Sequence, residues 1–162
     1  MRCDSLDISL LLMDCDGVLT DGRLYFSSTG EAMKVFDVRD GQGIVSWHQA
    51  GFKSGIISGR GAGEIIQRRA EELGIEFVRT GSSNKVADFE EIISSLGIET
   101  MNVAFVGDDV GDIELMKRVG FAVAVADAVP ETKAVAKYIT EAKGGRGAVR
   151  EVIDLLLRLE RK

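Results

Sequence analysis

Aspartates recur in this sequence where a short apolar run has just ended. Asp14 and Asp16 stand in Asp14-Cys15-Asp16-Gly17, and Asp108, Asp109 and Asp112 in Gly107-Asp108-Asp109-Val110-Gly111-Asp112. One such residue is an ordinary solvated loop aspartate. Several held together are different, because like charges at close range are costly unless a cation joins them. A hard divalent cation with oxygen ligands removes that cost. Mg²⁺ suits best, since it combines one or two carboxylates with substrate phosphate oxygens. Ser58, in Ile57-Ser58-Gly59-Arg60, adds a hydroxyl and backbone amides at a strand-to-helix turn, which suit a phosphate oxygen. Lys85 supplies a compact positive charge of the kind that offsets phosphoryl charge in a transition state. Taken singly, Ser58 would be a helix cap and Lys85 a surface lysine. The set as a whole points to phosphate chemistry.

Those residues need a frame that brings distant segments together. Short apolar runs alternate with longer amphipathic ones, the pattern of βαβ units around a parallel sheet. The predicted strands are Ile8 to Met13, Ser54 to Ile57, Phe77 to Val78, Val103 to Val106 and Phe121 to Val125. The first is nearly all apolar, as befits a strand covered on both faces. Helical patterns run from Gly43 to Ala50, Glu64 to Leu73, Lys85 to Leu96, Asp112 to Val119 and Glu131 to Lys137. A last one, Val149 to Leu159, carries Val149, Val152, Ile153 and Leu156 on one face. In an open α/β sheet the carboxyl ends of the strands form the ligand crevice, so Asp14, Ser58 and Asp108 can converge there. Asp14 and Asp16 would point the same way in extended chain, but a turn beginning at Gly17 can re-aim the second. One segment breaks the alternation. Arg23 to Phe26 and Lys34 to Phe36 flank Ser27-Ser28-Thr29-Gly30-Glu31, a β-hairpin inserted directly after the first strand.

Composition narrows the classes. The chain has 162 residues, enough for one domain (1–162) with little room for a second. Its net charge of −6 argues against a general nucleic-acid binder, which needs a basic face, yet leaves a local positive pocket open. No run approaches the ~18 apolar residues of a membrane span, and the start lacks a signal-peptide pattern; a cytoplasmic protein with no membrane partner is expected. Cys3 and Cys15 provide neither a disulfide framework nor a CxxC metal pair, and Cys15 reads as a small core residue. Gly59-Arg60-Gly61-Ala62-Gly63 fails the dinucleotide pattern, because Glu64 stands where the third glycine would fall. His48, the only histidine, reads as a packed or surface residue and cannot make a zinc site alone.

The ordered segments Asp14-Cys15-Asp16-Gly17-Val18-Leu19-Thr20-Asp21-Gly22, Ile57-Ser58-Gly59-Arg60, Lys85 and Gly107-Asp108-Asp109 with Asp112 resemble the four motifs of the haloacid dehalogenase-like phosphohydrolases. The resemblance implies a Rossmann-like three-layer αβα sandwich with a parallel sheet, a hairpin after strand one and no separate cap domain. By position it makes Asp14 the nucleophile that takes the phosphoryl group. Asp16 becomes the general acid for the leaving alcohol and then the base for the attacking water. Ser58 and Lys85 hold the phosphoryl oxygens. Asp108, the Asp14 carboxylate and the Asp16 backbone carbonyl bind Mg²⁺, while Asp109 and Asp112 support the metal or Lys85. The chemistry is coherent: a carboxylate nucleophile splits hydrolysis into two easier steps, and a second carboxyl moves the protons.

Within that family the chain is similar to the lid-less group of 3-deoxy-D-manno-octulosonate 8-phosphate phosphatases. The resemblance rests on Asp16 to Gly22, the hairpin, Val38-Arg39-Asp40-Gly41, Gly107-Asp108-Asp109 and Gly144-Gly145-Arg146-Gly147-Ala148-Val149-Arg150-Glu151. It implies a role in lipopolysaccharide sugar biosynthesis, with a small phosphorylated sugar acid as substrate. It also implies a homotetramer in which one subunit's hairpin covers a neighbour's site and excludes water. The tail at Gly144 to Gly147 is then expected to close over the pocket and bring Arg146 to the substrate. Thr20, Arg60 and Arg68 are further candidate substrate-binding residues. Arg60 suits a carboxylate or phosphate through its bidentate fork. The resemblance makes it favour the eight-carbon acid, because relatives acting on nine-carbon sialic-type 9-phosphates can carry a different residue next to the serine. Two readings of other classes compete. A phospho-accepting signalling domain would need its aspartate after the third sheet strand, where Arg79-Thr80-Gly81 stands. A non-catalytic assembly module, as found fused to synthetases, would not need the residues this chain retains.

Overall fold

Leu10, Leu11, Leu12 and Met13 are all fully buried, and they form the central strand of the protein. A strand with no polar residue on either face is stable only when both faces are covered and both edges paired. In the computed structural model, which describes residues 6–160, β1 (Leu10–Met13) lies between β4 (Lys53–Ile57) and β6 (Val103–Gly107), parallel to both. Beyond β4 comes β5 (Phe77–Arg79); beyond β6 come β7 (Phe121–Ala124) and β8 (Tyr138–Ile139). All neighbouring pairs are parallel, in the order β5-β4-β1-β6-β7-β8. The chain winds outward from β1 on one side, then returns to wind outward on the other. The reversal falls between β1 and β6, where a crevice opens at the strand ends.

Helices cover both faces. α1 (Val38–Gln49) packs against α2 (Gly63–Leu73) and α6 (Ala148–Glu160). α4 (Ile113–Met116) packs against α3 (Lys85–Leu96) and α5 (Pro130–Val135). The antiparallel β2 (Tyr25–Ser27) and β3 (Gly30–Met33) form the hairpin expected after strand one. The family's expected three-layer architecture is therefore present, with the hairpin as the one addition to the sheet and helix layers.

The largest differences from the sequence reading lie at the first helix, the hairpin, α4 and the last strand. The first helix begins at Val38, not Gly43, because the Asp37 side chain accepts from Arg39 N and caps it. Its glycines concealed that start: glycine weakens a helical pattern, and here neighbouring side chains and backbone pack closely on it. A Cβ on Gly43 would lie 3.3 Å from the Arg150 Cα, and one on Gly41 only 2.5 Å from the Arg69 guanidinium. The hairpin closes more tightly than expected, around Ser28 and Thr29, with Gly30 at φ 118°. α4 is confined to one turn after a short 3₁₀ segment at Val110–Asp112, and the two-residue edge strand β8 carried no legible pattern.

Asp40 is buried, and its carboxylate accepts from Arg150 N at 2.9 Å and Gly147 N at 3.4 Å. It caps α6 from the neighbouring helix, so Val38 to Gly41 and Gly144 to Glu151 form one joint. His48 spans α1 to Leu73 O at 3.1 Å and to Ser54 Oγ at 2.7 Å, a packing role away from the crevice. Cys15 is free and buried, its thiol pushed up to about 12 by burial; Cys3 lies outside the described residues.

Candidate active site

Each strand that ends at the reversal point delivers a polar group as its apolar run stops. Asp14 follows β1, Ser58 follows β4 and Asp108 follows β6. Lys85 is the first residue of α3, whose cap Asn84 accepts from Ala87 N at 3.1 Å. These residues, with Asp16, Arg60, Asp109 and Asp112, line one cavity of about 270 Å³.

Close approaches shape the loop after β1. The Cys15 carbonyl accepts from the amides of Val18, Leu19 and Thr20, which winds the chain into a tight turn. Gly17 sits at φ 89°, and a Cβ there would fall 1.9 Å from Asp108 Oδ2. Asp108 is thus pressed against the backbone beside Asp16. On another side of this loop, Gly145 N donates to Val18 O at 2.8 Å, and a Cβ on Gly144 would strike Gly17 O at 1.7 Å. The glycine-rich tail therefore braces the loop.

The acids are crowded, and the crowding is uneven. Lys85 Nζ lies 3.0 Å from Asp14 Oδ2 and 2.7 Å from Asp112 Oδ1. Burial alone would favour a neutral amine, but Asp14 and Asp112 hold the ammonium above the usual lysine range. Burial and the Asp112 charge push the Asp14 carboxyl up to about 6, even with Lys85 beside it. Burial, with the charges of Asp14, Asp112 and Asp109, pushes Asp108 up to about 8. Two neighbouring carboxyls shifted this way are held in a state that a cation would relieve.

The oxygen donors fit such an ion. Asp14, Asp108 and Asp112 each offer an oxygen, all within 4.8 Å of one another. Asp112 is already engaged: Oδ2 accepts from the Asp108 and Asp109 amides and Oδ1 from Lys85. Asp108 Oδ1, by contrast, is buried with no hydrogen-bond partner. No described group donates to the Asp16 main-chain carbonyl. Asp14 is engaged as well, by Cys15 N at 2.7 Å and by Lys85, so Asp108 Oδ1 and this carbonyl are the oxygens left without a hydrogen-bond donor, ligands of the type Mg²⁺ takes. Asp109 is more exposed, and its carboxylate accepts from the next amide, Val110 N, at 2.7 Å.

Two further polar atoms lack partners. Ser58 Oγ is buried and unbonded, while its amide and carbonyl are fixed by Arg79 O and Ser82 N. Asp16 Oδ2 is also buried without a donor, although Arg60 Nε lies 3.5 Å away. The other oxygen, Asp16 Oδ1, accepts from Lys34 Nζ at 2.6 Å. Lys34 and its second partner Glu31, 2.7 Å away, come from the hairpin and escaped the sequence reading. An ion pair between residues so far apart leaves no local signal, and both looked like ordinary hairpin charges.

The expected substrate-binding residues divide. Arg60 borders both the acidic cavity and an adjoining cleft of about 370 Å³ lined by Phe26, Glu31 and the first turn of α2. Thr20 is placed differently: its buried hydroxyl accepts from Gly17 N and Gly22 N, so it shapes the loop from within. Arg68 faces a separate groove with Phe36, Val38 and Ile65, outside the acidic cavity. Arg146 is exposed, its guanidinium 3.9 Å from Asp21 Oδ2 on the rim of the braced loop.

A parallel sheet with this acid-lined switch point defines a class, and the sequence agrees with it: the chain belongs to the haloacid dehalogenase-like hydrolase family, matching it over residues 68–153. Among its relatives is the 3-deoxy-D-manno-octulosonate 8-phosphate phosphatase KdsC of Escherichia coli K12, 46% identical over 96% of this chain and 82% of the relative. The crystal structure of the Yersinia pestis phosphatase of the same name superposes with a TM-score of 0.94 at 43% identity, covering 98% of this chain and 85% of that one. The corresponding Moraxella catarrhalis enzyme, solved with magnesium, phosphate and KDO, gives 0.92 at 39% identity over 96% of this chain and 88% of that one.

Proposed function

We propose that this protein is a Mg²⁺-dependent phosphomonoester hydrolase that releases phosphate from 3-deoxy-D-manno-octulosonate 8-phosphate in lipopolysaccharide sugar biosynthesis. The observation that carries the reading is the cavity itself. It holds a buried carboxylate paired with a lysine, an unpartnered serine hydroxyl and a second carboxyl with one oxygen free of any hydrogen-bond donor, all at the switch point. Similarity to phosphatases of that substrate supplies the substrate class.

In the first step an Asp14 oxygen forms a bond to phosphorus as the ester P–O bond breaks. The leaving oxygen keeps the electron pair and takes a proton from Asp16 Oδ2. In the second step water gives a proton to Asp16 and attacks phosphorus, and the Asp14–phosphoryl bond breaks with its pair returning to Asp14. Ser58 Oγ and Lys85 Nζ hold the phosphoryl oxygens, and Asp112 fixes Lys85 for that work. Asp14, Asp108 and the Asp16 carbonyl would hold Mg²⁺, which when bound offsets phosphoryl charge as a Lewis acid. The adjoining cleft beside Arg60 would take the sugar acid, with the guanidinium on its carboxylate.

The hairpin supports assembly. Phe26, Met33, Val35 and Val38 are each more than half exposed, an apolar surface of the kind that marks contact with a partner. A homotetramer buries it against neighbouring copies and completes the cover of the site. The enzyme acts in the cytoplasm, since a charged phosphorylated sugar stays in the compartment that makes it; among the described residues no helix is long and apolar enough to cross a membrane.

The test is phosphate release with Mg²⁺ over a panel containing 3-deoxy-D-manno-octulosonate 8-phosphate and nine-carbon sialic-type 9-phosphates. Preference for the eight-carbon acid is expected. Preference for a nine-carbon acid would keep the mechanism and overturn the substrate. Release from none would favour the assembly-module reading. Light scattering of the purified protein, expected to give four chains, checks the tetramer.

A further inference from the structure

Asp16 is asked to move protons, and the hairpin decides how it stands. Its Oδ1 accepts from Lys34 Nζ at 2.6 Å, and the Lys34 side chain is 1% exposed. Glu31 Oε1 grips the same ammonium from the other side at 2.7 Å, and Glu31 Oε2 lies 3.6 Å from the Arg60 guanidinium. Asp16 Oδ2 is left buried and without a hydrogen-bond donor, with only the longer Arg60 Nε approach at 3.5 Å, in a residue that lines the reaction cavity.

We infer that Lys34, held by Glu31, is a positioning residue that selects Asp16 Oδ2 as the only oxygen through which the proton passes. An ammonium has donors and no acceptor, so the oxygen it faces cannot carry the proton in transit. A carboxyl is nearly symmetric and its terminal torsion is soft, so without a partner on one side either oxygen could turn toward the reaction. Lys34 removes that freedom and joins the hairpin mechanically to the acid. The inference rests on the reading of Asp14 and Asp16 given above.

The leaving group separates positioning from simple anchoring. An alkyl phosphate needs the acid when its P–O bond breaks, whereas 4-nitrophenyl phosphate leaves without a proton; both need Asp16 as base when the phospho-enzyme is hydrolysed. In Lys34→Met, single-turnover phosphorylation by the sugar phosphate should slow by about 10- to 100-fold, the scale of a misplaced catalytic group. Phosphorylation by 4-nitrophenyl phosphate should hold its rate. That substrate should then give a burst of nitrophenol and a phospho-Asp14 species visible by intact mass. Lys34→Arg should restore much of the alkyl rate. Because Lys34→Met leaves two carboxylates facing each other, Glu31→Gln/Lys34→Met is made beside it, and thermal midpoints select the folded form for assay. Equal slowing of both first steps, or a change in KM alone, would overturn the role of Lys34. Turnover by Asp14→Asn would instead overturn the reading of the whole site.

Discussion

Two groups of carboxylates in this protein differ in how completely the chain satisfies them. At the joint between α1 and α6, Asp40 accepts from two backbone amides, and Glu151 accepts from Tyr138 Oη and from the amides of Glu141 and Ala142. Burial still pushes the Asp40 carboxyl up, whereas at the half-buried Glu151 those donors outweigh burial and hold the carboxyl below its usual range. In the crevice, Asp14 and Asp108 are pushed up, and Asp108 and Asp16 each keep an oxygen with no donor. Both sets sit in the same small protein on neighbouring elements. The difference lies in completeness. A carboxylate whose lone pairs are satisfied by the chain holds the fold together, and one left short is waiting for something that is not the chain.

The sharpest way to break the comparison is to exchange the consequences of substitution. Asp14→Asn should lower turnover by more than about 10³-fold, as loss of a nucleophile does, while the metal-free protein stays folded. Steady-state phosphate release and a thermal melt check both halves. Retained activity would remove Asp14 from the nucleophile's role. Gly17→Ala comes next. Its Cβ would need the space of Asp108 Oδ2, and its φ of 89° disfavours any side chain. Displacing Asp108 should cost activity on the order of 10²-fold and raise the Mg²⁺ concentration needed for half-maximal rate. A variant with unchanged metal dependence would show that Asp108 does not need this position.

Asp40→Ala should do the reverse. It leaves the Gly147 and Arg150 amides without their partner, a lost helix cap that costs about 1 to 2 kcal/mol. For a chain of this size that lowers the thermal midpoint by roughly 2 to 4 °C per kcal/mol. The folded fraction should keep its kcat. A large fall in kcat with an unchanged midpoint would mean that Asp40 belongs with the crevice after all.

The same contrast explains what could be read from sequence. The crevice was legible because each of its main groups follows an apolar run, so Asp14, Ser58 and Asp108 announce themselves by position in the chain. Lys85 was legible only as a member of that set. The joint was visible as two segments, Val38 to Gly41 and Gly144 to Glu151, but not as one contact. A capping bond between distant helices has no periodicity, and Gly41 and Gly43 look like helix breakers until the groups packed closely on them are known. Thr20 looked like a substrate ligand because it sits among the motif residues; only the turn geometry shows its hydroxyl facing Gly17 and Gly22. Lys34 and Glu31 were hidden for the most general reason, since a hairpin's charges become informative only once the hairpin has docked.

The smallest expected effect is also the one that tests the electrostatic half of the comparison. Asp14 and Asp108 hold their protons up to about 6 and about 8 in the folded chain, whereas an unfolded aspartate releases its proton near ~3.9. Between those values the folded chain binds more protons than the unfolded one, so metal-free stability should fall as pH rises. The contribution is full below about pH 4, declines through 6 for Asp14 and is lost by about 8 for Asp108. If, as proposed, these carboxylates hold Mg²⁺ in their ionised form, its stabilising effect should grow over the same window. Melts at pH 5, 6.5 and 8, with chelator and with Mg²⁺, should give two curves that diverge as pH rises. Asp14→Asn should flatten the early part of the metal-free curve, because the group that titrates there is gone. Asp40→Ala should lower both curves without altering their divergence, since neither Asp14 nor Asp108 is touched. Parallel curves in the unsubstituted protein would mean that the crevice carboxylates are as well satisfied as those of the joint.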